Sequence, residues 1–550
     1  MSDHRIDVTT LSGLLLRAYD RWPNNNAVIF PPANSGPDRL TYKQLTEKAY
    51  ARARSLKALG VQRGDHVGIL MANCMEYVEL LFGIALVGAV SVPMNARYKA
   101  LELAYVTENA DLKVLLTHDL ISEYANFADL LAQAFPDLPN QRDPQNLALQ
   151  GAPLLKAIAI LSDTAPAGFI NGPTFDEAAS KVTDDEVDAD RIRVSLRDTC
   201  LMMYTSGTTA NPKGCPLSNE SLVRTGINMN SERYFMTEKD RFWGALPMFH
   251  LSSTLPMLCA MDAGAAFLSM THVEAGVALE MMEKEKVSIA FPSFPTVTNE
   301  LISHPDFATR DLSNLRRVNN VAPPDVLRRF QDAFPQAIQT GAYGLTEASG
   351  VVSFNHPDES LELRLHSCGR PFSGMDAKII NPETGEELPA GERGEILLRG
   401  YALFDGYYKS PEKNAEAFID GWFRTGDLCS MDKEGHIGFH GRIKDMLKVG
   451  GENVAAIEIE SMLANHPSVK LAQVIGVPDG RLVEVAAAFI ELNPGTTATE
   501  DEIIGFCKGK IASFKIPRHV RFVSNWPMSS TKVQKFRLLA NFEAEGDAAT

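Results

Sequence analysis

Between residues 66 and 94 the chain runs through a strand-like stretch, HVGILM, then an apolar helical stretch from about Met75, then a second strand-like stretch, VSVPM. Apolar strands alternating with helices bury both faces of a sheet, so this succession predicts layered α/β architecture. The longest apolar run, LLFGIALVGAV at 80–90, is bounded by Glu79 and closely followed by Pro93. It falls short of the roughly 20 apolar residues that cross a bilayer, which makes it a buried helix with no membrane span expected. Just upstream, TYKQLTEKAYARARSLKALG (41–60) carries Leu45, Ala49, Ala53, Leu56 and Leu59 near helical spacing. Thr41 and Gln44 form a capping-box pattern at its start and Gly60 marks its stop, so an amphipathic helix is predicted.

At 550 residues the chain exceeds one compact core, so more than one domain is expected. Lys and Arg number 53 against 69 Asp and Glu, a formal charge of −16, which is a poor platform for the phosphate contacts that dominate nucleic-acid binding. The seven cysteines are odd in number, widely spaced and without a CxxC or zinc-like pattern, which suits a reducing, cytoplasmic setting. The N-terminus has only a brief apolar patch and early acids, unlike a secretory signal. Residues 120–175 mix helical periodicity with Pro, Asn and Gln clusters and read as elaboration on the scaffold. From about 375 short β runs with turns (DAKII, GERGEILLRG, HIGFHGR) indicate a small β-rich unit. After GRIKD at 441–445 the pattern returns to mixed helix and strand, predicting a separate C-terminal α+β domain.

Residues 204–214 read YTSGTTANPKG. Hydroxyls and glycines after a strand-like CLMMY supply O–H and N–H donors for phosphate oxygens, and Lys213 supplies charge. The loop is not a Walker A motif. Counted from Gly207, the second glycine position holds Pro212, and Gly214 stands where a Mg²⁺-binding hydroxyl is required. Alone, such a loop can also be read as a solvated turn.

Read in order, the chain carries TSGTTANPKG (205–214), LPMFH (246–250), YGLTEA (343–348), GWFRTGD (421–427), GRIKDMLKVGGENV (441–454) and PMSSTKVQK (527–535). This series, extending from about residue 10 to 540, resembles the adenylate-forming superfamily, which includes acyl- and aryl-CoA synthetases. The fold implied is a large N-terminal region of α/β subdomains with a small β-barrel-like one, followed by a smaller mobile α+β domain. In this chain those are expected at 1–441 and 442–550, with a hinge near Lys444.

The activity implied is an AMP-forming acid:CoA ligase. A carboxylate attacks the α-phosphate of ATP to give acyl-AMP and pyrophosphate, and the thiol of coenzyme A then displaces AMP. ATP, Mg²⁺ and coenzyme A are therefore expected, with a small carboxylic acid as partner; a homodimer is left open. By the same resemblance Thr205, Ser206, Gly207, Thr208, Thr209 and Lys213 would hold the phosphates. Thr346 and Glu347 would serve the α-phosphate region, Glu347 as the ligand of Mg²⁺, a hard cation suited to carboxylate. Tyr343 and Gly344, with Ala322 and Pro323, would face adenine; Asp427 would hold the ribose and Arg442 would reach the same nucleotide. Lys532 would bridge carboxylate and α-phosphate as charge develops, with Lys535 a rival because Thr531 stands where glycine is usual. Gly450, Gly451 and Lys515 would serve coenzyme A. His250, a residue type more often packed than catalytic beside Phe249, would line the meeting point of acid and thiol.

Two departures concern the acid. Asn320 and Val321 occupy positions where the family commonly has glycines, beside an acyl pocket expected from His250, Asn320, Val321, Gly341 and Ala342. Fatty, aryl and terpenoid or steroid-like acids all remain open. So do two rival functions: a stand-alone adenylating enzyme that loads a carrier protein, and a non-catalytic nucleotide or acyl sensor.

Overall fold

The computed structural model describes residues 8–31, 38–205, 212–449, 452–479, 481–528 and 533–548. Two seven-stranded sheets form the large N-terminal region. The first runs, edge to edge, through Ile170–Asn171, Ala157–Ile160, Leu112–Thr117, His66–Leu70, Val90–Pro93, Thr199–Thr205 and Lys213–Ser218. All its neighbours are parallel except the last pair, which is an antiparallel hairpin. The second sheet has the same plan: Ile338–Thr340, Arg317–Asn320, Ile289–Ser293, Arg241–Trp243, Ala266–Leu268 and Asn26–Ile29 are parallel, and Arg39–Thr41 closes the edge antiparallel.

The helix Met75–Val87 lies between these layers with all its apolar residues buried, as its unbroken apolar sequence requires. Among the described residues no helix is long and apolar enough to cross a membrane. Glu79 is also buried; Arg52 at 2.9 Å and Lys48 at 3.2 Å neutralise its carboxylate. Both come from the helix Tyr42–Ala58, whose Thr41–Gln44 capping box is present as the sequence indicates. The two helices pack closely at Gly83, where a Cβ would come within 3.0 Å of the Ala49 carbonyl. The stretch 120–175 is more than elaboration, since Ala157–Ile160 and Ile170–Asn171 extend the first sheet to its edge. Their brevity, between Pro- and Asn-rich turns, hides them from a periodicity argument.

A three-stranded antiparallel sheet (Ala342–Tyr343, Ser353–Phe354, Arg370–Pro371) leads into a five-stranded antiparallel one: Met375–Ile380, Gly394–Gly400, Phe418–Ile419, Trp422–Met431 and Ile437–Arg442. The smaller C-terminal domain has its own five-stranded sheet, which opens with Met446–Val449, and its own core around Leu447, Val454, Ile459, Leu463, Val474 and Ile490. Between the last strand of one sheet and the first of the next lies a single turn, Ile443–Asp445, which contains Lys444. Across the seam, Arg393 of the large region pairs at 2.9 Å with Glu458, which also pairs with Lys515. Asn465 donates to Asp325 at 3.1 Å.

Candidate active site

The hairpin Thr199–Thr205/Lys213–Ser218 sets Tyr204 opposite Gly214 and Thr205 opposite Lys213. It therefore presents the two ends of the hydroxyl- and glycine-rich loop side by side. Ser206, Gly207, Thr208 and Thr209 lie outside the described residues, as do Gly450, Gly451 and Lys532. Lys213 places its ammonium 4.4 Å from the centre of the Tyr407 ring.

Glu347 sits in the tight turn Thr346–Ala348. The approach to this turn needs Gly344, where a Cβ would stand 2.1 Å from the Gly350 carbonyl oxygen. Ser349 leaves it in a left-handed conformation, φ 52°, and its hydroxyl donates to the Ala402 carbonyl at 2.8 Å. The Phe404 amide donates to the Glu347 carbonyl at 2.9 Å, and the Tyr407 hydroxyl donates to Glu347 Oε1 at 2.8 Å. A carboxylate with a neighbouring Thr346 hydroxyl is an all-oxygen donor set, which fits Mg²⁺ and its preference for few protein ligands and retained waters.

On the side expected to hold the nucleotide, the strands Trp422–Met431 and Ile437–Arg442 pair with Asp427 directly opposite Arg442. The bend before Asp427 is supplied by Gly426, at φ +69°, whose amide donates to Glu395 Oε1 at 3.1 Å. Asp427 is buried; its Oδ2 accepts from the Tyr343 hydroxyl at 2.8 Å and its Oδ1 pairs with Arg442 Nε at 2.7 Å. Burial works against the Arg442 charge, but Asp427 and then Glu347 outweigh it and hold the guanidinium above its ordinary pKa. Burial, reinforced by Asp427, pushes the Tyr343 phenol well up, so it stays a donor. One face of the Tyr343 ring stacks on Phe439 at 5.9 Å, a contact that sequence reasoning missed. Burial lowers the Lys444 pKa, and the residue lies close enough that Asp427 and Lys213 both act on it.

On the side expected to hold the acid, His250 caps the helix Leu251–Asp262 with extended backbone. Asn73 holds the preceding turn, accepting from the Met248 amide at 2.7 Å and donating to the Leu246 carbonyl at 2.9 Å. Nothing in the sequence singles out Asn73, because its partners lie more than 170 positions away. The Gly341 amide donates to Asn355 Oδ1 at 2.7 Å, and Ala342 is buried in the short strand that follows. The two departures separate. Asn320 is fully buried, accepting from the Thr298 hydroxyl at 2.5 Å and donating to Gln339 Oε1 at 2.9 Å, so its amide is tied to the helix Pro295–Ser303 and to the strand Ile338–Thr340. Val321 is 45% exposed, with Ala322 and Pro323 half-buried beside it. Lys515 is occupied by Glu458, and Lys535 pairs at 2.7 Å with Glu460 inside the C-terminal domain.

The AMP-binding enzyme family matches residues 15–408, and the AMP-binding enzyme C-terminal domain matches 458–532. "Putative acyl-CoA synthetase YngI" of Bacillus subtilis (strain 168) is 34% identical over 536 residues, 96% of either chain. The mitochondrial medium-chain acyl-CoA ligase ACSF2 of Rattus norvegicus is 31% identical over 553 residues, 98% of this chain and 89% of the relative. Among solved structures, the anthranilate CoA ligase AuaEII in complex with anthranoyl-AMP is similar with a TM-score of 0.84 and 26% identity, over 98% of each chain. With two sheets of one plan, a small antiparallel sheet carrying Asp427 and Arg442, a C-terminal domain and these matches, the chain belongs to the AMP-binding enzyme family.

Proposed function

We propose that the chain is an AMP-forming acid:CoA ligase acting on a hydrophobic carboxylic acid. The observation that carries this reading is the convergence of Glu347, Asp427, Arg442, Tyr343 and Lys213 from separate elements into one electrostatically connected cluster. In the first half-reaction a carboxylate oxygen attacks the α-phosphorus and the bond to the departing pyrophosphate breaks. Lys213 and the loop 205–209 would hold the β- and γ-phosphates, while Arg442 and Asp427 would keep the nucleoside in place. Mg²⁺, held at Glu347, would neutralise phosphate charge when bound. Lys532 would bridge the acid and the α-phosphate. In the second half-reaction the thiol sulfur of coenzyme A attacks the acyl carbonyl and AMP leaves.

One lysine cannot stay in the site while coenzyme A enters. The turn Ile443–Asp445 would act as a hinge at Lys444 between the units 1–441 and 442–550, bringing Gly450 and Gly451 to the thiol route. Lys515 would then have to leave Glu458 to meet coenzyme A. The apolar helix Leu251–Asp262, the exposed Val321 and the medium-chain relative support a medium-chain acid as the first class to test. The seven free cysteines fit a reducing cytoplasm.

The test is pyrophosphate release across fatty, aryl and cyclic acids, with and without coenzyme A, alongside thioester detection. Acid-dependent release with thioester formed supports the reading. Release without any thioester points to a carrier-protein acceptor, and no release with any acid points to a sensor.

A further inference from the structure

We infer that Tyr407 is a positioning residue that couples the metal-binding carboxylate to the phosphate-binding lysine, its hydroxyl aiming Glu347 and its ring seating Lys213. This rests on the nucleotide-site reading above and adds a residue to it. The hydroxyl donates to Glu347 Oε1 at 2.8 Å, and the Lys213 ammonium stands 4.4 Å from the ring centre. A cation over an aromatic face gains most where water is displaced, and a carboxylate held by a phenol keeps one orientation.

The tyrosine is itself held on several sides. Asn414 clamps its backbone, accepting from the Tyr407 amide at 2.7 Å and donating to its carbonyl at 3.0 Å. The Phe404 ring meets it edge-on at 4.8 Å. The next two residues are pinned as well: the Tyr408 amide donates to the Gly214 carbonyl at 2.8 Å, its hydroxyl to Asp111 at 2.7 Å, and Lys409 pairs with Asp111 at 2.7 Å. The segment thus ties the Thr199–Ser218 hairpin to the Glu347 turn.

The test is direct ATP binding to the full chain by calorimetry, titrated with Mg²⁺ and with no acid present, so that no turnover is read. Tyr407→Phe removes the hydroxyl and keeps the ring; it is expected to raise the Mg²⁺ concentration for half-maximal binding about threefold to tenfold while leaving metal-free ATP affinity unchanged. Tyr407→Leu removes both and is expected to weaken metal-free binding as well. An unchanged Mg²⁺ midpoint in the Phe variant, or unchanged metal-free affinity in the Leu variant, overturns the inference alone. A wild-type chain that binds no ATP overturns the site reading and this inference together.

Discussion

At the scale of single residues, Asp427 joins a buried phenol to a half-buried guanidinium, so its charge has two dependants. Hydrogen bonds to charged groups contribute about 1.5–3 kcal/mol each, so Asp427→Asn is expected to weaken ATP binding roughly tenfold or more. Calorimetry would expose an unchanged affinity and reject the ribose role. The two tail lysines separate more sharply. Lys535 is engaged by Glu460, whose Oε1 also accepts from the Val474 amide at 2.8 Å, so it belongs to the C-terminal domain's own framework. Lys532→Ala is expected to abolish adenylate formation and spare thioester formation from supplied acyl-AMP, whereas Lys535→Ala should leave the first half-reaction standing. The reverse pattern in the two half-reaction assays would exchange their roles. Tyr343, Asp427 and Arg442 are legible in the sequence because each stands in an ordered motif. Tyr407, Asn73 and Phe439 are not, because their roles arise from contacts made only once distant segments meet.

At the scale of elements, the hairpin Trp422–Met431/Ile437–Arg442 carries Asp427 and Arg442 as a directly opposed pair, and His440 stands at the register shift between the pairs Leu428–Gly441 and Cys429–Phe439. Burial, with Arg393 adding repulsion, lowers the His440 pKa from 6.5 to about 4, and its Nε2 lies 2.8 Å from the Ser430 hydroxyl. A depressed histidine favours the neutral form in the folded state. Its contribution is therefore present above about pH 6.5 and is lost as pH falls toward 4, where the unfolded chain binds the extra proton. The urea midpoint of His440→Gln should fall less between pH 7 and pH 5 than that of the parent chain; equal falls would remove His440 from the acid limb. The strand Arg317–Asn320 marks a different limit of legibility. Its departure from glycine is visible in the sequence, but the direction of the Asn320 side chain depends on Thr298 and Gln339, which only the fold supplies.

At the scale of the whole molecule, the chain passes from one sheet to another through one short turn. Lys444→Pro would restrict φ there and remove a backbone donor. It is expected to permit acid-dependent pyrophosphate release yet block thioester formation, and undiminished overall turnover would reject the hinge. The α/β class and the C-terminal domain are readable from alternating apolar runs, whereas the shared plan of the two sheets depends on strand pairings that sequence does not display. Across the seam between the regions runs the Arg393–Glu458 pair, with Lys515 on the same carboxylate from within the C-terminal domain, and all three are at least partly open to solvent. Such pairs weaken as the Debye length shrinks to about 10 Å at 0.1 M salt and about 3 Å at 1 M. Under the proposed hinge, ionic strength would become a control on domain exchange, and rates compared between relatives at different salt concentrations would report this seam as well as the chemistry.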